Sequence, residues 1–529
     1  MAAAILSDSK TRSPDEQNVF SKSTSEDVAL EQLGYQQELK RSFGLFGMIG
    51  FSFSIVTSWS ALSGILVIGA MSGGPPVMIW SWIGVCLLSL AVAYSMAEMC
   101  SAYPVAGGQY SWVALLAPPR WAKGLSYICG WFMLIGILAM GATSHQSTAN
   151  FVLGIVALNN PGYVIERWHT VLVCYAIALF CLGINIFLNR ILDKLGRALL
   201  IINLSSFVIV ITTILAMKED KKPASFVFSD FVNLTGFSSQ AYVALLGLAQ
   251  AGFGMCCYDA PAHMTEEIVD ARKQAPRAIV SSVYIGFVTG LALLISASFC
   301  IGDIAETAGT PYGTPAIQIF LDSTSRAGAS GLGALIVIIG TGASNGLVAE
   351  GGRSVFAFAR DRGLPFSGTI SKVGNKNHTP TAALCVAVAS QMGLNSIYYG
   401  NSTGFITVIT LATTGFYISY AFPLICRLVA LPTSTGRTTI PGIWSLGRWS
   451  IPLNVIGAVY LVFASITFLF PTVSPVDSKN MNYTVAAIGG VMVIAAVTWV
   501  TTGRKQFAGP VQGAVVDMAR GGLSSESEK

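Results

Sequence analysis

Five acidic residues stand inside or at the ends of long apolar runs: Glu98, Asp259, Glu266, Glu267 and Glu350. A carboxylate in such surroundings is costly, and chains that keep one use it to pair with a base or to carry protons or cations. Asp259 is followed by Pro261, which suits an N-cap restarting a broken helix; its other reading is electrostatic, repelling anions and attracting an ammonium group. His263 lies four residues on, on the same helical face, as a structural or gating histidine or as a proton relay. Glu266 and Glu267, with Arg272, Lys273 and Arg277 nearby, form a solvated charged face or an ion-pair gate. Glu98 closes an apolar run just before Gly107-Gly108, with Arg360 as its candidate partner. Glu350 either pairs with Arg353 at i,i+3 or faces a cavity as a proton or cation site. Asp361, between Arg360 and Arg362, reads as structural.

Aromatic residues add a second kind of chemistry. Phe51, Phe53, Trp59, Phe253 and Tyr258 flank two stretches rich in Gly and Ser. A ring box with few carboxylates suits an ammonium group through cation–π attraction; rings of a core or a lipid-facing surface are the alternative. Thr143, Ser144, His145, Gln146 and Ser147 either line a pathway or hydrogen-bond between helices. The four histidines, His145, His169, His263 and His378, are scattered over different segments. An integral membrane enzyme such as an acyltransferase would cluster such groups near one membrane face, so the chain is read as a non-enzyme without a cofactor or metal.

The elements that position these residues follow from composition. The chain has 529 residues, 53% hydrophobic and 11% charged, with a mean hydropathy of +0.62. Soluble proteins carry about 25% charged residues. Between Arg41 and Arg120 the sole charged side chain is Glu98, and 278–302 has none. Secreted enzymes, nucleic-acid-binding proteins and disordered scaffolds are excluded. The continuous runs also exclude a β-barrel, whose strands alternate. At roughly 20 apolar residues per crossing, twelve helical spans are predicted: 43–70, 76–100, 124–154, 168–188, 194–216, 238–260, 278–302, 327–352, 380–398, 402–431, 451–470 and 483–502. With the N-terminus inside, 25 of the 31 Lys and Arg residues fall in inside segments and six in outside loops. The positive-inside rule then puts both termini in the cytosol. Residues 1–42 read as a disordered cytosolic tail rather than a signal peptide, and 503–529 as a second tail. The ten cysteines lie inside or at the ends of the apolar runs, so no loop-stapling disulfide is expected. Of four N-x-Ser/Thr sequons, those at Asn233, Asn401 and Asn482 fall in outside loops and Asn203 within a span.

Spans one and six carry interruptions, Gly47 to Ser60 and Gly247 to Pro261. Small residues at these places either pack helices tightly or mark discontinuous helices whose freed backbone lines a substrate site. The two spans hold equivalent positions in two five-helix halves, which favours a transporter site.

Four segments then carry a resemblance: Ile49-Gly50-Phe51-Ser52-Phe53-Ser54 with Trp59; Ala97-Glu98-Met99 through Pro104-Val105-Ala106-Gly107-Gly108-Gln109-Tyr110; Asp259 through His263-Met264-Thr265-Glu266-Glu267; and Ala357-Phe358-Ala359-Arg360-Asp361-Arg362-Gly363-Leu364-Pro365. Tyr420-Ala421-Phe422-Pro423 is a weaker echo. Together they resemble the fungal amino-acid/choline permease family of the amino acid–polyamine–organocation superfamily over residues 40 to 500. The resemblance implies an all-α polytopic fold: a LeuT-type five-plus-five inverted repeat (43–216 and 238–431) with two added helices (451–502). It also implies substrate bound between the unwound parts of spans one and six, by Gly50, Phe51, Ser52, Phe53, Ser54, Thr57 and Trp59 together with Phe253, Gly254, Tyr258 and Asp259. Glu98, His263, Glu266, Glu267, Glu350 and Arg360 are the candidate gating or coupling residues. Two departures stand out. Ala349-Glu350-Gly351-Gly352-Arg353 replaces the usual Ser-Arg before the span-eight motif, and Gly136-Ile137 stands where many relatives carry a second Trp. Asn203 occupies the place of a lysine in some proton-coupled relatives.

The expected function is a permease of the plasma membrane that imports a small amino-group-bearing solute, such as an amino acid, GABA or choline, by alternating access. The proton is its expected co-substrate, the bilayer its surroundings, and nucleic acid no partner. A nutrient receptor of the same fold is the competing class, and an integral membrane enzyme a further one.

Overall fold

The computed structural model describes residues 43–188, 192–374, 379–400, 404–430, 442–478 and 480–507, together with Gln37, Leu39, Arg41 and Gly509. Most of the two predicted tails, and Asn401 and His378, lie outside the described residues. Runs that are apolar on every face satisfy their backbone within a membrane only as helices, and helices are what the chain forms. The first predicted span is a succession of α1 (Leu45–Val56), α2 (Ser58–Gly64) and α3 (Leu66–Met71), followed by a two-residue strand, β1 (Ser72–Gly73). Then come α4 (Gly74–Ala102), the short α5 (Gln109–Leu116), α6 (Pro119–Asn159), α7 (Arg167–Phe187) and α8 (Leu192–Met217). A connection with α9 (Ala224–Phe228) and β2 (Val232–Asn233) leads to the sixth span, split into α10 (Gln240–Gly254) and α11 (Ala260–His263). The second half continues with α12 (Ala271–Cys300), α13 (Ile304–Ala308), α14 (Pro315–Ser323), α15 (Arg326–Arg360), α16 (Ser367–Ile370), α17 (Thr381–Gly400) and α18 (Gly404–Ala430). α19 (Ser450–Thr467), α20 (Thr484–Thr498), a π-helical turn (Trp499–Gly503) and the short α21 (Arg504–Gln506) complete the order among the described residues.

Ten helical stretches among the described residues are long and apolar enough to cross a bilayer. They fall on ten of the twelve predicted spans. The other two positions are the divided sixth span and α17, a 20-residue helix whose Ser390, Gln391, Asn395 and Ser396 dilute its apolar content. The chain is an all-α polytopic membrane protein. Its outer helices show what surrounds it: Val493 and Val497 of α20 and Val500 just beyond it are 63%, 57% and 75% exposed, a face that suits lipid.

Spans one and six are tied together at both ends. β1 pairs antiparallel with β2, Ser72 opposite Asn233 and Gly73 opposite Val232. At the other end Phe43 donates its N–H to Glu267 O and accepts from Val269 N, both at 3.0 Å. Small residues let helices approach closely. A Cβ on Gly50 would lie 2.3 Å from Gly196 O, so α1 and α8 touch there backbone to backbone. Gly136 of α6 meets α18 in the same way, with Phe416 N 2.8 Å from its would-be Cβ. No tryptophan fits at that contact.

Candidate functional site

The break in the first span falls later than the glycines suggest. Gly50 to Ser54 lie within the continuous helix α1, and the chain turns at Thr57, with φ 23° and ψ 48°. Positive φ is unusual for any residue with a Cβ and more so for a β-branched one. The sixth span breaks at its own non-glycine residue, Cys257, with φ 63°. Each such residue stores about 1–3 kcal/mol of strain that its surroundings must hold. At Thr57 the holder is Asn203 of α8, whose Nδ2 donates to Thr57 Oγ1 at 3.0 Å while its Oδ1 accepts from Trp59 Nε1 at 2.6 Å. The residue standing in place of a lysine is thus the neutral clamp of the first break.

A cavity of about 50 Å³ lies between the two breaks, with Thr57, Ser60, Thr143, Ser144, Phe253 and Cys257 in its walls. Small-molecule sites occupy about 300–1,000 Å³, so the cavity in this conformation is smaller than such a site. The polar cluster of α6 is divided between its two readings. Thr143, Ser144 and Ser147 line the cavity, Ser144 also hydrogen-bonds Ser344 of α15 at 2.9 Å, and His145 is fully buried away from it. Of the five expected box aromatics, Phe253 alone is in the cavity wall. Phe51 packs on Phe43, Trp59 on Phe207 and Tyr258 on Tyr420. Phe53 is buried, and Gly254 gives close contact with Leu62 and Trp82. The hydroxyls of Ser52, Ser54 and Tyr258 are buried without a hydrogen-bond partner.

Asp259 sits two residues past the second break, fully buried. It occupies the N-cap position of α11, yet its side chain makes no cap hydrogen bond; the capping reading is therefore corrected. Its Oδ2 accepts from Gln109 Nε2 at 2.5 Å, and its Oδ1 accepts from the Tyr420 hydroxyl. His263, as its spacing predicts, returns to the same carboxylate, Nε2 lying 3.1 Å from Oδ2. The other ring nitrogen, Nδ1, lies 3.2 Å from Ala106 O. The Gly107-Gly108 motif now has a physical reason. Gly108 has φ 57°, and a Cβ there would sit 2.6 Å from His263 Cε1. Glycine lets the loop before α5 press on the histidine, bringing Ala106 O to its ring and Gln109 to Asp259. Gln109 and Tyr420 escaped the sequence reading as site residues, although both lie in the motifs that carry the resemblance.

The remaining acids find partners across the fold. Arg360 donates to Glu266 through Nη1 and Nη2 at 3.1 and 2.9 Å. Arg353 donates to Glu267 at 2.7 and 3.3 Å, not to Glu350 as the i,i+3 spacing suggests. A forked guanidinium gains two parallel bonds by reaching a carboxylate on another element. Glu98 likewise does not meet Arg360. The end of α4 faces α18 and the start of α19, where Glu98 accepts from Arg427 Nη1 at 2.8 Å, from the Ser450 hydroxyl and from Leu446 N at 3.1 Å. Of the two readings of Glu266 and Glu267, the buried ion pairs hold; the solvated charges there are Asp270 and Lys273, 3.6 Å apart and half exposed. Asp361 accepts from the Tyr110 hydroxyl at 2.9 Å, a structural bond. Glu350, fully buried, has no hydrogen-bond partner on either oxygen among the described residues. Its carboxylate, that of Asp259 and the His263 ring bring one atom each within 4.8 Å of one another.

Residues 43–494 match the family model described as amino acid permease. A Macrophomina phaseolina protein named for amino acid/polyamine transport is 61% identical over 441 residues, 83% of this chain and 97% of that one. The choline transporter of Saccharomyces cerevisiae is 32% identical over 89% of this chain and 83% of its own. An amino-acid permease of Arabidopsis thaliana is 31% identical over 92% and 96% respectively. These are transporters, not enzymes. With the helical order and the paired breaks already in view, the chain belongs to the amino acid permease family of the amino acid–polyamine–organocation superfamily.

Proposed function

We propose that this permease is a secondary active importer of a small amino-group-bearing solute, an amino acid, GABA or choline, driven by the proton gradient. In this reading the solute binds between Thr57 and Cys257, and the two five-helix repeats, 43–216 and 238–431, alternate access to it. The helices of 451–502 are accessory, both termini are cytosolic, and the membrane is the plasma membrane. The observation that carries the reading is the buried Asp259 carboxylate beside the second strained break, with a small polar cavity between the breaks. An anion there attracts an ammonium group, the feature that amino acids, polyamines and choline share. Residues that close the path at the other end of α11 are Glu266, Glu267 and their arginines. Gly50 to Ser54 contribute by close packing and by the free hydroxyls of Ser52 and Ser54 rather than by an unwound backbone.

The test is uptake by the purified chain in lipid vesicles, over amino acids, GABA, choline and polyamines, with and without a pH gradient. Accumulation of an amine that collapses with the gradient is the expected result. Binding without transport turns the reading to a nutrient receptor, and accumulation indifferent to the gradient removes proton coupling.

A further inference from the structure

We propose that Glu350, His263 and Asp259 form the site that takes up the driving proton. The inference rests on the transport reading above and adds the residues that hold the coupled ion. His263 supplies the first step. Ala106 O only accepts, so the nitrogen facing it, Nδ1, carries a hydrogen. The second nitrogen faces Asp259 Oδ2, and an ionised carboxylate also only accepts. Both contacts are satisfied together only when the Asp259–His263 pair holds one proton more than a neutral imidazole beside a carboxylate.

Glu350 supplies the second step. It projects from α15 into this pair, fully buried, with no donor to either oxygen among the described residues. A buried carboxylate without donors is unfavourable, and a single proton removes its charge. The groups that face it are Asp259, His263 and Cys257 from the sixth span, and behind them Gln109 from α5 and Tyr420 from α18 bond Asp259. None of these is a permanent cation. Arg353, one turn along α15, is engaged by Glu267. One atom each of Glu350, His263 and Asp259 lies within 4.8 Å of the others, so a proton passes between Glu350 and the pair once a small movement or one water closes the gap.

The link to the substrate is the break itself. Cys257 turns the chain two residues before Asp259, and Asp259 is held by donors from three elements. Any movement of the break that admits substrate shifts Asp259 against Glu350 and changes how tightly the site holds its proton. By linkage, the proton changes substrate affinity by the same factor.

The experiment uses the full chain in vesicles, with choline and neutral amino acids as probes, comparing wild type with Glu350→Gln and His263→Gln. For wild type, substrate entry is accompanied by proton entry, and substrate affinity shifts about 5- to 150-fold across the titration. In Glu350→Gln, exchange of substrate between equal pools remains measurable, while pH-driven accumulation and proton entry are lost and the pH profile is flat. A variant with wild-type proton entry and pH profile overturns the proposal, as does uptake driven by sodium alone. Should Glu350→Gln not reach the membrane, His263→Gln carries the same comparison. Infrared difference spectra between acid and alkaline pH decide the site without any transport. A carboxylic-acid carbonyl band present in wild type and missing in Glu350→Gln supports it, and identical spectra overturn it. Wild type that moves none of the probes refutes the transport reading, and the infrared result then stands alone for or against the site.

Discussion

Asp259 hydrogen-bonds a glutamine, a tyrosine and a histidine that come from three different elements, so its carboxylate organises the centre of the bundle, and in the proposed function it also attracts an ammonium group. Asp259→Asn keeps the shape and removes the charge. A hydrogen bond to a charged group is worth about 1.5–3 kcal/mol, so uptake of a cationic substrate is expected to fall roughly tenfold to a hundredfold, with surface expression intact. Unchanged kinetics for choline would remove its electrostatic role. Gly108→Ala tests the neighbouring contact. The new methyl meets His263 Cε1 at 2.6 Å on a backbone with φ 57°, so it displaces the ring and loosens Gln109 from Asp259. Lower uptake together with an altered pH profile is expected; a loss of stability alone, at unchanged pH dependence, would mean the glycine serves only the turn.

At the scale of elements, the bundle is stapled by buried ion pairs that join helices far apart in the chain. Glu98 and Arg427 are separated by 329 residues and are both essentially inaccessible to water. Removing one partner of such a pair leaves an uncompensated charge and destabilises by about 3–5 kcal/mol. Arg427→Ala is therefore expected to lower the thermal midpoint sharply, and Glu98→Gln in the same background to restore part of it; additive losses would show that the two do not act as a pair. The spans themselves were legible because hydropathy accumulates over some twenty residues and tolerates local error. The partners were not. Neither Arg427 for Glu98 nor Glu267 for Arg353 leaves a local signal, since side chains that meet through tertiary packing have no fixed spacing. The breaks fall between these cases. Their existence in spans one and six could be read from composition, but their positions at Thr57 and Cys257 depend on strain that other elements hold, and glycine pointed to helix packing at Gly50 instead. Asp259 and His263 were legible as a pair because a helical spacing of four survives even the short turn of α11.

At the scale of the whole molecule, alternating access needs one body to move against another, and the two ties between spans one and six say which elements move together. The Phe43–Ile268 bridge and the β1–β2 pair clasp the broken helices at both ends, so both breaks lie between tied points while α6 and α15 pack as neighbours beside them. The direction of this cycle depends on orientation, which the distribution of basic residues predicts: 25 Lys and Arg on the cytosolic side against six outside. Two exposed positions test it directly. Phe366, 84% exposed just after α15, belongs to a predicted cytosolic loop, and Val164, 73% exposed between α6 and α7, to an outside one. Nine of the ten native cysteines are buried, leaving Cys385 as the exposed background to subtract. In intact cells a membrane-impermeant maleimide is expected to label Val164→Cys and to reach Phe366→Cys only after the membrane is permeabilised. The reverse pattern would invert the topology, placing the Glu266–Arg360 and Glu267–Arg353 pairs at the outer mouth and turning the proposed importer into a carrier whose outer, not inner, gate is held by those bridges.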